Sequence, residues 1–338
     1  MIPPALAPYP SASPARVCYP GACAATRACP SSRYHDRVQA KAGRGRADGI
    51  VRQPLAMLPA EIDAESLDSF ARLLRRPDQE IPLDEAALEV ARVGYPALDP
   101  APTLAYLDDL ASRTLERRLS DEGPCGFVAT LTRSLFEVEG FRGNEEDYYD
   151  PRNSFLNDVL TRRLGIPITL SVVLLEVARR LAWPVRGVSF PGHFLVRADL
   201  GDRGLILDPY SGGKILDEVA CQEHLDRVFG APVALDRRFL EPVGPREITT
   251  RMLNNLKGIF LTRRDLPRAL AVVERLLVLR PEEMGERRDR GKLRYSLGDF
   301  DGAAHDLERY LQSVRQPKDH PEVTKILKAI RKRQASVN

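Results

Sequence analysis

Long apolar runs are missing from this chain of 338 residues. The longest, Ile166 to Val177, is broken by Pro167, Thr169, Ser171 and Glu176. It falls well short of the ~20 apolar residues a helix needs to cross a bilayer, so no membrane partner is expected. A surplus of one charge is missing too. Fifty Lys and Arg face 47 Asp and Glu, a net of +3, which gives no reason to expect a nucleic-acid partner. Cysteine is scarce. Of five, Cys18, Cys23 and Cys29 stand near the start without a CxxC pair, and only Cys125 and Cys221 follow. That is too few for a disulfide framework, implies no zinc site, and makes a reducing cytoplasm the simplest compartment. No motif for a cofactor or a metal stands out.

The balance of 43% hydrophobic and 29% charged residues is that of a globular chain long enough for two or three domains. The charge is unevenly spread. Residues 1–53 hold eight Arg and Lys against Asp36 and Asp48, a net of +6, so the chain's +3 leaves −3 for the rest. This leader is dense in Pro, Ala, Gly and Ser and has no helical or strand period, so residues 1–56 are expected to be disordered. It lacks the apolar core of a secretory signal. An Arg-rich leader can imitate an organelle transit peptide; the favoured expectation is upstream sequence translated from an early start, with Met57 as the true beginning.

From about Ala60 the period is helical. Leu67, Phe70, Leu73 and Leu74 recur at helical spacing up to Pro77; residues 83–92 form a second short helix; Leu104 to Leu119 and Phe127 to Phe136 mark two more. The charged residues of this module (57–139) are expected on solvated faces. Gly, Asn, Asp and Pro then mark a loop over 140–153, followed by a helix from Ser154 and a longer one over Thr169 to Leu181. The wide apolar face of Leu170, Val173, Leu174, Val177 and Leu181 predicts that the second is largely buried. Past Pro184 the period becomes that of strands. Val185 to Phe190 alternates, and Phe194–Arg197 and Gly204–Asp208 are short apolar runs whose intervening turn predicts an antiparallel hairpin. A buried helix followed by antiparallel strands is an α+β core, assigned to 140–246.

Residues 247–338 hold an internal repeat. Asp265-Leu-Pro-Arg-Ala269 maps on Asp299-Phe-Asp-Gly-Ala303, and Val273-Glu-Arg-Leu-Leu277 on Leu307-Glu-Arg-Tyr-Leu311, every pair 34 residues apart. That is the tetratricopeptide period, with Ala269 and Ala303 expected where paired helices approach closely. Two units are fewer than a free-standing solenoid needs, so they are expected to lean on the core. The cations from Lys325 to Arg333 read as the solvated end of a last helix.

Five histidines occur. His35 lies in the leader, His305 and His320 have no partner pattern, and His224 is expected to be exposed. His193 differs: it sits between a turn and a strand, and Asp208 ends the next strand fifteen residues on. Neighbouring antiparallel strands can set the two side by side as the base and orienting half of a triad. Equally, the His can cap a turn and the Asp start one. Asn153 and Asn157 suit a helix cap or turn, or bonds to the loop beside the core helix; Tyr148 and Tyr149 suit packing of that loop, or the lining of a cleft.

Five stretches carry a resemblance: Asp147-Tyr-Tyr-Asp-Pro-Arg-Asn-Ser-Phe-Leu-Asn157, Arg163-Leu-Gly-Ile-Pro-Ile-Thr-Leu-Ser171, Glu176-Val-Ala-Arg-Arg-Leu181, Phe190-Pro-Gly-His-Phe-Leu-Val-Arg197 and Leu207-Asp-Pro209. Over about residues 57–315 the chain resembles the bacterial SirB-type family, a transglutaminase-like core with a tetratricopeptide-like tail. The resemblance implies a papain-like core between an N-terminal helical module and C-terminal helical repeats. It implies a nucleophile at the N-terminus of the buried helix and a His and Asp on neighbouring strands, matched by His193 and Asp208. Active cores of this kind carry Cys where Pro167 stands here, and proline offers no thiolate. Thr169 and Ser171 are the nearest hydroxyls, placed either to cap the helix or to act as nucleophile. Two functions are therefore expected to compete: a non-catalytic adaptor for a protein or peptide partner, and a Ser/Thr-dependent acyl hydrolase or transferase using Ser171 or Thr169 with His193 and Asp208.

Overall fold

The computed structural model describes residues 64–118, 126–201, 203–315 and 319–337; the leader, Met57, Leu119 and Cys125 lie outside them. The elements run α1 (Ala64–Leu73), α2 (Leu83–Ala91), α3 (Ala101–Glu116), α4 (Gly126–Thr132), β1 (Arg142–Gly143), α5 (Leu156–Arg162), β2 (Leu164–Gly165) and α6 (Pro167–Arg180). The sheet follows as β3 (Val185–Val188), β4 (Leu195–Leu200), β5 (Arg203–Asp208) and β6 (Lys214–Leu216), then α7 (Glu218–Phe229) and β7 (Pro242–Val243). Helices α8 (Pro245–Arg263), α9 (Leu266–Leu279), α10 (Met284–Leu297), α11 (Phe300–Ser313) and α12 (His320–Val337) complete the chain. The architecture is an antiparallel-sheet transglutaminase-like core with helices before it and tetratricopeptide-like helices after it. Among the described residues no helix is long and apolar enough to cross a membrane.

Helix α6 is the centre of the molecule. Every residue from Pro167 to Ala178 is buried, because the helix meets α3 and α5 on one side and β3, β4 and α8 on others. It begins two residues before Thr169: Pro167 takes the first helical position, where a missing N–H costs nothing and the ring presets φ. Strands order β6-β5-β4-β3-β7, all antiparallel, with the hairpin in register Val196↔Leu207 and Ala198↔Leu205. Alternation along β4 divides the core. Val196 and Ala198 face α6, whereas Leu195 faces a smaller cluster with Val188, Phe190, Cys221 and Leu225 beneath α7.

The repeat reading has a local physical basis. Asp265 and Asp299 each cap the helix that follows, accepting from Arg268 N and Gly302 N at 3.3 and 2.9 Å. Ala269 and Ala303 are fully buried. At Gly291 a β-carbon would lie 2.7 Å from the Leu307 side chain, so α10 and α11 touch nearly backbone to side chain. The tail does lean on the rest: α8 packs on α2 and α6, α9 packs on α1, and one apolar cluster runs from Phe70 to Leu293.

Not all the N-terminal charges are solvated. Asp84 on α2 is 3% exposed and accepts from Arg179 and Arg180 of α6 at 3.1 and 2.8 Å. Arg180 also bonds Glu176 and Asp108. Burial alone raises Asp84, but the guanidiniums outweigh it and hold the carboxyl below its ordinary value.

Candidate functional site

The turn after β3 delivers His193. Its N–H bonds the Phe190 carbonyl at 3.1 Å, and Gly192 sits at φ +68° with the Val228 side chain 2.7 Å from where a β-carbon would be. Only glycine suits that conformation and that approach of α7. Asp208, at the end of β5, comes alongside because residue 196 pairs with 207. The imidazole Nε2 and Asp208 Oδ1 are 2.8 Å apart, and both side chains are buried. Asp208 also accepts from Tyr210 N at 3.0 Å and Ser211 Oγ at 2.7 Å. Burial pushes its carboxyl up, but the His193 imidazole and the Ser211 hydroxyl prevail and hold it below the usual carboxylate range. An ionised Asp208 accepts only, so Nε2 is the ring nitrogen that donates to it. Among the described residues Nδ1 has no hydrogen-bond partner.

The two hydroxyls are engaged elsewhere. Thr169 Oγ1 accepts from Ile166 N at 3.1 Å and donates to the Asn153 carbonyl at 2.6 Å. Ser171 Oγ donates to the Pro167 carbonyl at 2.8 Å, back along its own helix. Neither bonds His193. Cys221 is no substitute: burial, then Asp217, Glu218 and Asp208, push its thiol up to about 11, which disfavours the thiolate.

Asn153 does bond the loop beside the core helix. It donates to the Asp147 and Tyr148 carbonyls at 2.7 and 3.2 Å and accepts from Asn144 at 3.0 Å and Arg162 at 3.2 Å. This pins residues 144–153, fixing Tyr148 against Tyr149 and Tyr210. Asn153→Ala is expected to cost about 2–3 kcal/mol, because it strands buried partners; guanidinium unfolding of the variant against wild type measures it.

Three neighbours of His193 were not legible beforehand. Tyr210 stands edge-on to the imidazole at 6.1 Å, and its ring covers Gly143, whose β-carbon would lie 2.5 Å from it. His224, expected on the surface, is instead buried, with its ring 4.9 Å from that of His193. The correction comes from α7, which folds back under the sheet. Burial first, then the charge of His193 and Arg227, push His224 down to about 4. Arg251 of α8 reaches Ser189 Oγ at 2.9 Å and the His193 carbonyl at 2.6 Å. Among the described residues no group of three or more His, Cys, Asp or Glu is arranged to hold a metal ion. A cavity of about 400 Å³ lies apart from this site, between α1, α2 and α3.

Residues 101–254 match the transglutaminase-like superfamily and residues 256–331 the tetratricopeptide repeat. A UPF0162 protein of Xylella fastidiosa is 43% identical over 242 residues, 70% of this chain and 85% of that protein. One from Pseudomonas aeruginosa is 35% identical over 234 residues, 69% of this chain and 85% of that protein. The chain belongs to the UPF0162 family. This is the SirB-type family to which the sequence motifs pointed. The F-box only protein 21 of Mus musculus is 37% identical over a shorter stretch of 107 residues, 32% of this chain and 16% of that protein. No solved structure matches the UPF0162 chain significantly.

In this UPF0162 chain His193 and Asp208 are hydrogen-bonded and buried, and Pro167 opens the helix at whose start the family resemblance implies a nucleophile.

Proposed function

We propose that this UPF0162 chain is a non-catalytic transglutaminase-like protein that acts as a protein-interaction or regulatory adaptor in the cytoplasm. Residues 140–246 supply the core cleft, and the helical repeats of 247–338 supply a second surface for a protein or peptide partner. The observation that carries this reading is Pro167. It has no reactive side chain, and the nearest hydroxyls, on Thr169 and Ser171, are spent on backbone carbonyls. Thr169 is the helix cap rather than the attacking group.

A second reading rests on the His193–Asp208 pair at 2.8 Å. That pair is the general-base half of a Ser/Thr acyl hydrolase or transferase, and such a base needs only a hydroxyl brought within reach. Fluorophosphonate labelling of wild type and His193→Ala separates the two. The adaptor reading expects no adduct that depends on His193. An adduct on Ser171 or Thr169 that disappears in the variant sinks it in favour of the hydrolase.

A further inference from the structure

Among the described residues Arg251, like Arg246, is a partly buried arginine whose guanidinium holds no carboxylate. Arg162, Arg163 and Arg180 each pair with a carboxylate within 3.4 Å. Among the described residues Arg251 forms no ion pair; its two bonds go to neutral acceptors, the Ser189 hydroxyl and the His193 carbonyl. Its guanidinium also lies over the Phe194 ring at 5.8 Å. The acid whose charge it feels, Glu247, is already held by Arg280 at 2.8 Å. Burial disfavours the charged form of Arg251, with only partial relief from Tyr148 and Glu247. A guanidinium has five N–H donors in a planar fork, and two of these are used.

We propose that Arg251 is the anchor for a carboxylate of a bound peptide, held beside His193 in the core cleft. This rests on the adaptor reading and supplies the chemistry of its partner. One unneutralised cation suits a single negative charge, whereas a phosphate dianion calls for more than one. The remaining donors match the fork geometry of a carboxylate, and charge-assisted pairs of this kind are about twice as strong as neutral hydrogen bonds. Tyr148, whose hydroxyl burial pushes up to about 12, stays neutral beside the guanidinium, and Tyr149 is half exposed next to it. They give the rest of the peptide an aromatic wall with polar tips. A terminal carboxylate and an acidic side chain share this chemistry.

The test is side-chain NMR of the arginine Nε–H groups in the full chain. It is titrated separately with N-acetylalanine, N-acetylglutamic acid α-amide, N-acetylalaninamide and inorganic phosphate. The Arg251 resonance is expected to shift saturably with one or both carboxylates and not with the neutral amide, while that of Arg180, whose side chain is held by Asp84, Asp108 and Glu176, stays still. Which acid is preferred tells a chain terminus from a side chain. Arg251→Gln is expected to weaken that binding at least tenfold. Arg251→Lys, which keeps charge without the fork, should recover only part of it and guards against loss of fold. An unmoved Arg251, or an equal response to phosphate, overturns the proposal. If that happens with no His193-dependent adduct, the adaptor reading stands without its carboxylate. Carboxylate binding together with such an adduct keeps the anchor and overturns the adaptor.

Discussion

Asp306→Ala is expected to destabilise the chain by roughly 3–5 kcal/mol, toward the lower figure because its partners keep some contact with water. The Asp306 side chain is fully buried between α10 and α11, where Arg290 binds both oxygens at 2.7 Å and Arg294 binds one at 3.0 Å. Arg287 stands 3.5 Å away, and Glu274 takes the other nitrogen of Arg294 at 3.1 Å. Removing the carboxylate leaves three guanidiniums, of which Arg294 keeps Glu274 at 3.1 Å and the exposed Asp299 at 3.5 Å. Desolvated like charges then repel each other at the seam of the repeats, which costs more than the lost hydrogen bonds. Asp306→Asn, which keeps shape and two acceptor lone pairs, should cost less. Guanidinium midpoints for the three proteins measure the order; a loss below 1 kcal/mol for the alanine variant contradicts it.

The second large effect depends on pH. His224 is pushed down to about 4 from an ordinary 6.5, by burial and then by His193 and Arg227. Between those values the unfolded chain binds a proton at this residue that the folded chain refuses, so stability falls as pH falls from 6.5 toward 4. At 1.36 kcal/mol per pH unit, the full loss is roughly 3 kcal/mol. His224→Gln is expected to flatten the stability profile across that window and leave it unchanged above pH 7. Asp208, held below its ordinary value, works lower: its contribution is present above the unfolded carboxylate value and is lost as pH falls through the depressed one. The two windows are therefore separable. Unfolding free energies for wild type and His224→Gln at pH 7, 6, 5 and 4.5 test this, and parallel profiles refute it.

Much of the fold could be read in advance because the signals are local. The apolar stripe from Leu170 to Val177 forces α6 inside, the turn before Gly204 closes the hairpin, and the 34-residue spacing recurs because Asp265 and Asp299 perform the same capping act. His193 and Asp208 were findable for a similar reason: a hairpin register converts fifteen residues of sequence into one hydrogen bond. What stayed hidden depends on contacts between distant elements. A hydrophobic period tells which face of a helix is covered and nothing about what covers it. Thus Asp84 looked solvated until Arg180, 96 residues on, was found against it. His224 looked exposed because its helix is weakly apolar, and nothing in its neighbours says that α7 returns under the sheet. Arg251 is one cation among many in the helices after the sheet, and its site is assembled by a backbone carbonyl and a hydroxyl 58 and 62 residues earlier.

The seam between α8 and the earlier helices has a practical consequence. Arg246 bonds Asp78 and the Leu74 carbonyl, and Met252, Leu253 and Leu256 share one buried cluster with Leu83, Leu88 and Val173. Severing the chain ahead of α8 would therefore wet oily surface on both fragments at once. Each half would be prone to clump, so bait for fishing out a binding protein is best made from the uncut polypeptide.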